Sequence, residues 1–180
     1  YIISTTNGFA ETDIAVNPRN PLNMVTTDNR ITGFAGTKWI YYTLDGGVTW
    51  NPTAFPGSNA GDPAFCADSL GNFYLALLGS SVTTIVVYKS ANGGATWTFA
   101  GQTPSVSQLD KEWIAADQTG GPYQNNVYVV FVNFSSGTSV DFYRSTNNGA
   151  TFSFTANLGS GSPNPGPDVA TGPNGVVYVA

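Results

Sequence analysis

The chain has 180 residues, of which 9% are charged and 13% aromatic, with 21 glycines and 11 prolines. This composition is typical of an all-β protein with many tight turns, and no window shows the apolar period of about 3.6 residues that marks an amphipathic helix. The net charge of −5 argues against binding to nucleic acid or anionic membranes. No apolar run reaches the roughly 18 residues of a membrane span. Because the chain has no histidine, His-based catalytic triads and His-ligated zinc are excluded within it.

Short apolar motifs recur along the chain at intervals of about 50 residues, which is the scale of a propeller blade. The first set covers residues 13–17, 64–68, 113–117 and 168–172. A second apolar run follows each of these, at residues 22–25, 73–77, 127–131 and 176–179. We predict that both sets form β-strands.

An eight-residue motif occurs three times, at residues 43–50, 90–97 and 145–152, between strand-like runs. Asp or Asn next to Gly at these places predicts a hairpin, because these residues tolerate positive φ and their side chains accept backbone N–H groups. The closing aromatic residue can fold beneath the turn as an apolar plug. We assign the acidic or amide residues and the aromatic residues of the motif to folding: Asp45, Trp50, Asn92, Trp97, Asn147 and Phe152.

Each period thus holds four antiparallel strands, the pattern of a β-propeller blade. We predict a single domain over residues 1–180 with blades at about 11–54, 61–101 and 110–157 and a partial blade at 166–180. Propellers close with about four to eight blades, so about three and a half would be a partial ring. We expect the rest of a longer propeller, or other copies of the chain, to complete it.

The repeated motif is similar to the bacterial neuraminidase repeat, or Asp-box. From about Glu11 to Ala180 the sequence resembles the Asp-box propeller family, including secreted bacterial proteins described as sialidase-like. The connecting segments 11–18, 110–117 and 166–170 share this resemblance. It implies a β-propeller located outside the cell or at its surface, with the boxes at the blade periphery and away from the catalytic face. No signal peptide is recognisable before Glu11.

Acidic residues recur just before each strand that is predicted to line the central channel. They are Glu11, Asp13, Asp62, Asp110, Glu112 and Asp168, with Lys111 among them. Three interpretations stay open at this stage. The carboxylates could accept backbone N–H groups in turns, bind a ligand or a cation such as Ca²⁺, or act as the general acid and base of a glycosidase. The catalytic candidates are Asp62, Asp110, Glu112 and Arg30.

The family resemblance also implies what a sialidase would need: three arginines that grip the substrate carboxylate, a Tyr–Glu nucleophile pair and an Asp acid. The chain has only three arginines. Arg19 lies in a proline-flanked turn expected on the opposite face, and Arg144 adjoins the third box at the periphery. Only Arg30 could reach the channel face, so no complete sialidase site is predicted in this segment.

We therefore predict an extracellular binding or scaffolding module that recognises a glycan or a cell-surface protein and requires no cofactor, although Ca²⁺ is compatible with it. One alternative is a sialidase-like glycoside hydrolase whose remaining catalytic residues lie outside this segment. A second is a self-assembling surface or fibre subunit. Neither nucleic acid nor membrane insertion is expected.

Overall fold

The computed structural model describes residues 11–29, 39–55, 57, 61–135, 137–160 and 166–180. These residues form short strands, and a 3-10 turn lies at Pro173–Gly175. The strands are β1 (Asp13–Val16), β2 (Met24–Thr27), β3 (Trp39–Thr43), β4 (Asn51–Ala54), β5 (Gly61–Ala67), β6 (Phe73–Leu78), β7 (Ile85–Ser90), β8 (Thr98–Gln102), β9 (Leu109–Ala116), β10 (Val127–Asn133), β11 (Ser139–Ser145), β12 (Ser153–Ser160), β13 (Val169–Thr171) and β14 (Val177–Val179).

The strands pair as consecutive antiparallel sheets. Sheets of four strands form in the orders β1-β2-β3-β4, β5-β6-β7-β8 and β9-β10-β11-β12, and β13 pairs with β14. The predicted fold class, an all-β propeller of four-stranded antiparallel blades, is confirmed. Within the described ranges, no helix is long and apolar enough to cross a membrane.

The first strand of each sheet contacts the first strand of the next. β1 packs against β5, β5 against β9, and β9 against β13. This is the arrangement of innermost strands around a propeller axis. The residues that precede these strands are therefore brought towards one another at one end of the axis.

The hydrophobic core lies between neighbouring sheets. Every residue of β6 and of β10 is buried, because each of these strands has a sheet packed against both of its faces. This accounts for their continuous apolar runs, which do not alternate as half-exposed strands do. Phe73 packs in the core between the first and second sheets, and Phe131 packs in the core between the second and third.

The three boxes fold alike. In the second box, the Ser90 hydroxyl oxygen accepts the Gly94 N–H at 3.0 Å and the Asn92 carbonyl oxygen accepts the Thr96 N–H at 3.0 Å. Trp97 is 5% exposed and its indole N–H donates to the Gly94 carbonyl at 3.1 Å. The first and third boxes share the two turn bonds: the Thr43 and Ser145 hydroxyl oxygens accept the Gly47 and Gly149 N–H groups, and Asp45 and Asn147 accept the Thr49 and Thr151 N–H groups.

The boxes also join successive blades. The Asn23 amide donates to the Gly93 carbonyl at 2.9 Å, and the Thr53 hydroxyl donates to the Ala95 carbonyl at 2.9 Å. At the next interface, Gly101 lies so close to the carbonyl oxygens of Gly149 and Ala150 that a Cβ there would collide with them. Each of these two boxes therefore stabilises its own hairpin and docks on the blade before it.

Candidate functional site

Three successive blades place a charged residue in the left-handed backbone region at the start of the innermost strand, just before β1 and within the first residues of β5 and β9. The φ angles are 51° at Glu11, 54° at Asp62 and 51° at Lys111. The three positions are equivalent in the repeat, since each lies six residues before the Asn or Asp that follows the strand. This conformation is uncommon for residues other than glycine, and such residues cluster at functional sites.

The side chains of these three residues converge. The Lys111 ammonium lies 3.4 Å from a Glu11 carboxylate oxygen. Asn29, which follows β2, donates its amide N–H to the Glu11 carboxylate and, at 3.2 Å, to Asp62 Oδ1. The Asp62 backbone N–H donates to the side-chain amide oxygen of Asn29, Oδ1, at 2.9 Å. We call Glu11, Asn29, Asp62 and Lys111 the rim cluster, and it joins three blades.

Sequence reasoning identified Glu11, Asp62 and Lys111 as channel-face residues but missed Asn29. The signal that could have found it is weak, because an Asn after a strand usually belongs to a turn. Here its side chain uses both ends of the amide, donating from nitrogen and accepting on oxygen, to bridge two carboxylate residues from different blades.

The pKa values of the two carboxyl groups in the rim cluster shift in opposite directions. Burial, followed by the hydrogen bond and the charge of Glu11, raises the pKa of Asp62 to about 7. The hydrogen bond from Asp62, followed by the Lys111 charge, lowers the pKa of Glu11. Asp62 therefore holds its proton to a higher pH than an ordinary aspartate, and in its protonated form it can donate to an ionised Glu11.

Glu112 lies beside the rim cluster and is enclosed. It is 1% exposed, and neither carboxyl oxygen has a hydrogen-bond partner among the residues that the structure describes. Burial raises its pKa well above the ordinary 4.5, and the Asp62 and Asp110 charges add to the shift. The pairing of β9 with β10 shifts register at this point, which leaves Glu112 without a directly opposed residue. The Glu112 carboxyl is therefore buried and holds its proton to a higher pH than an ordinary glutamate does.

The remaining predicted rim residues have different surroundings. Asp13 is half-buried and accepts the Phe65 N–H at 2.5 Å, so its carboxylate ties β1 to β5. Burial raises the pKa of Asp13, and the Asp168 charge contributes to that rise. Asp110 is exposed and accepts the neighbouring Lys111 N–H at 3.0 Å. Asp168 is also exposed.

The predicted rim residues do not all have the same role. Asp13 fits the structural interpretation, while Glu11 and Asp62 present polar groups at the surface. Within the described ranges, no group of three or more Cys, Asp or Glu side chains is arranged to hold a metal ion. Calcium binding at this rim stays a prediction.

The arginines do not add to the cluster within the described residues. Arg19 is exposed in the turn that follows β1, at the end opposite Glu11, and its N–H donates to Asn17 Oδ1 at 2.9 Å. Arg144 is exposed on β11, next to the third box. The catalytic candidate Arg30 lies outside the described residues.

The BNR/Asp-box repeat family matches residues 41–52, which contain the whole of the first box. Among solved structures, the chain resembles a protein of unknown function from Dyadobacter fermentans, with a TM-score of 0.67 and 14% identity over 95% of this chain. It also resembles a Hadza microbial sialidase, with a TM-score of 0.61 and 10% identity over 91% of this chain. A xyloglucanase from Xanthomonas campestris aligns with a TM-score of 0.55 and 14% identity over 79% of this chain.

The chain spans only part of these structures, covering 61% of the Dyadobacter protein, 37% of the sialidase and 23% of the xyloglucanase. No curated protein sequence matches it significantly. At these identities the structural likeness establishes the fold, and the repeat match establishes the motif. The chain is therefore a β-propeller that carries an Asp-box repeat.

Proposed function

We propose that this propeller is an extracellular carbohydrate-binding module and that its ligand binds at the face that carries the rim cluster. The observation that carries the proposal is the convergence of Glu11, Asp62 and Lys111 from equivalent positions of three blades. Ligand sites in propellers are built in this way, from short segments that successive blades bring to one end of the axis. The extracellular location rests on the resemblance to secreted Asp-box proteins.

The chemistry of the rim cluster suits a sugar. Carboxylate oxygens accept hydrogen bonds from hydroxyl groups, and the ammonium and amide donors satisfy hydroxyl oxygens. Asn29 and Lys111 hold Glu11 in place before any ligand arrives, which reduces the entropy lost on binding. The carbohydrate enzymes among the structural neighbours, a sialidase and a xyloglucanase, support the same ligand class.

A glycoside hydrolase is the second candidate, and one observation favours it. Asp62, with a pKa of about 7, keeps its proton over a pH range in which the neighbouring Glu11 is ionised, because their surroundings move the two pKa values in opposite directions. A protonated carboxyl beside an ionised one is the arrangement from which glycosidases draw a general acid and a base or nucleophile. In this proposal, the further groups around the sugar come from parts of the propeller outside these residues.

Binding to a panel of immobilised neutral, basic and acidic glycans tests the proposal, with the full protein and three variants. We expect Lys111→Ala and Asp62→Asn to weaken binding about tenfold, the effect of losing one hydrogen bond to a charged group. Arg144→Ala removes one positive charge at the periphery and is the matched control. If no glycan binds, the proposal is wrong.

Release of a fluorophore from aryl glycosides separates the two candidates. Turnover by the full protein that Asp62→Asn abolishes would establish the enzyme. Binding without turnover would establish the module. The predicted self-assembly alternative is tested by sedimentation over a concentration series. The first and last sheets expose apolar side chains that could pair between copies, Ile14 at 53% and Tyr178 at 60%.

A further inference from the structure

The first and third blades meet through side chains at one end of the axis, although the second blade stands between them. β1 packs against β5 and β5 against β9, so the innermost strands follow one another around the axis. Yet the Lys111 ammonium, on β9, lies 3.4 Å from the Glu11 carboxylate beside β1. This ion pair therefore joins two blades that are not neighbours in the ring, at the end where the innermost strands begin.

The Glu11 carboxylate is the point at which groups of three blades meet. Asn29, from the first blade, donates its amide N–H to this carboxylate, and Lys111, from the third, is paired with it. Asp62, from the second, forms a side-chain hydrogen bond with it. Asn29 also fixes Asp62, because its amide donates to Asp62 Oδ1 at 3.2 Å and its oxygen accepts the Asp62 backbone N–H at 2.9 Å. The three blades thus share one network of contacts.

The contact between Asp62 and Glu11 depends on a single proton. Two carboxyl groups attract each other while one of them is protonated and donates, and they repel once both are ionised. Burial, with the bond and the charge of Glu11 adding to it, raises the pKa of Asp62 to about 7. The charged groups that act on Asp62 among the described residues are Glu11 beside β1 and Asp110, Lys111 and Glu112 on β9. Of these, Lys111 alone opposes the repulsion.

We infer that the rim cluster is a pH-sensitive clamp, which holds the first three blades together across the mouth of the channel while Asp62 is protonated and loosens when Asp62 ionises. On loosening, the O–H bond of Asp62 breaks and its proton goes to the solvent. Repulsion between two carboxylates then replaces the hydrogen bond to Glu11, and Lys111 and Asn29 remain to hold that residue. The clamp acts in the protein without a ligand, so it goes beyond the proposed carbohydrate binding.

Amide hydrogen exchange of the full protein, followed by NMR over a range of pH, tests the inference. The Asp62 backbone N–H reports on the clamp, because it donates to Asn29 within the cluster. When the clamp opens, Asp62 returns to the pKa of an ordinary aspartate, so opening is linked to the loss of one proton between that value and about 7. We expect the protection factor of this N–H, corrected for intrinsic exchange, to fall by up to about tenfold per pH unit between about pH 5 and pH 7 and to level off above that range.

Two variants predict different changes in this pH profile. Asp62→Asn keeps a neutral donor, and asparagine suits the left-handed conformation with its φ of 54°, so its protection should not depend on pH. Lys111→Met removes the charge that lowers the pKa of Asp62, so the fall in protection should extend to higher pH. Arg144→Met removes a positive charge at the exposed periphery and is the matched control, which should keep the wild-type profile.

A double-mutant cycle tests whether the clamp links the first and third blades. The changes in protection caused by Glu11→Gln and Lys111→Met should not multiply in the double variant, because either substitution alone removes the ion pair. Changes that multiply would overturn the link between these blades.

The pH profiles decide the rest of the inference. Equal profiles for the wild type and Asp62→Asn would overturn the clamp, and an unshifted profile in Lys111→Met would do the same even if Asp62→Asn did not fold. Because no ligand is used, failure of the clamp is distinguishable from failure of the proposed function.

Discussion

Replacement of Glu112 by glutamine tests whether a neutral carboxyl is buried between the blades. In the unfolded chain this group ionises around the ordinary value of 4.5, whereas in the folded protein burial raises its pKa well above that. Above 4.5 the unfolded state therefore loses a proton that the folded state keeps. Because the unfolded state then binds fewer protons, the free energy of unfolding falls as pH rises, by about 1.4 kcal/mol per pH unit.

Glu112→Gln has no such proton, so its free energy of unfolding lacks this slope. The stability difference between variant and wild type should shift in favour of the variant by about 1.4 kcal/mol for each pH unit, until the pH reaches the folded pKa. Asp62, Asp110 and Lys111 interact electrostatically with Glu112 and are present in both proteins, so their own contributions largely cancel in the difference. Urea denaturation at several pH values above 4.5 measures it. Parallel pH dependences in the two proteins would refute a buried neutral Glu112.

Three further substitutions test the boxes and the blade contacts. Trp97→Ala should lower the free energy of unfolding by about 3–5 kcal/mol, because the side chain is only 5% exposed. Trp50→Ala, at a half-buried site, should lower it less. Equal melting temperatures of the wild type and Trp97→Ala would disprove the role of Trp97 as an apolar plug. Gly101→Ala should lower the free energy of unfolding by about 1–3 kcal/mol, because the new Cβ collides with the Gly149 and Ala150 carbonyls. Gly121→Ala is the control, since a Cβ has room there. Equal denaturation midpoints for the two variants would contradict the tight blade contact. Hydrogen bonds from Thr49 lower the pKa of Asp45 from 3.8 to about 2. The carboxylate therefore stabilises the fold above pH 3.8, and its contribution is lost as the pH falls towards 2. Asp45→Asn should remove that acid sensitivity, and an unchanged acid-denaturation profile would show that the bonds are weak.

The repeats made the fold predictable because its main determinants are local. Turn chemistry at Asn92 and its counterparts specifies a hairpin within a few residues, and the run of apolar residues in β10 specifies a strand covered on both faces. The hairpin signal recurs in three blades and the fully buried strand in two, so each copy supports the assignment of the others.

The candidate site was predictable only in outline because it depends on how blades meet. The sequence placed Glu11 and Asp62 before innermost strands, but their contact through Asn29 arises from blade packing. Glu112 lies in a charged segment, which predicts an exposed side chain. In the structure it is buried, at the point where the pairing of β9 with β10 shifts register. Asp13 looked like its neighbours, yet its carboxylate accepts a backbone N–H of the next blade.

The most direct test of the rim cluster as a ligand site is NMR observation of the side-chain carboxyl carbons during addition of the tightest-binding glycan. We predict that the Glu11 and Asp62 signals shift with ligand concentration and that Asp62, without ligand, titrates with a pKa of about 7. The Asp45 carboxyl at the blade periphery should stay unchanged. Ligand-dependent shifts at Asp45 with none at Glu11 and Asp62 would contradict the assignment of the site.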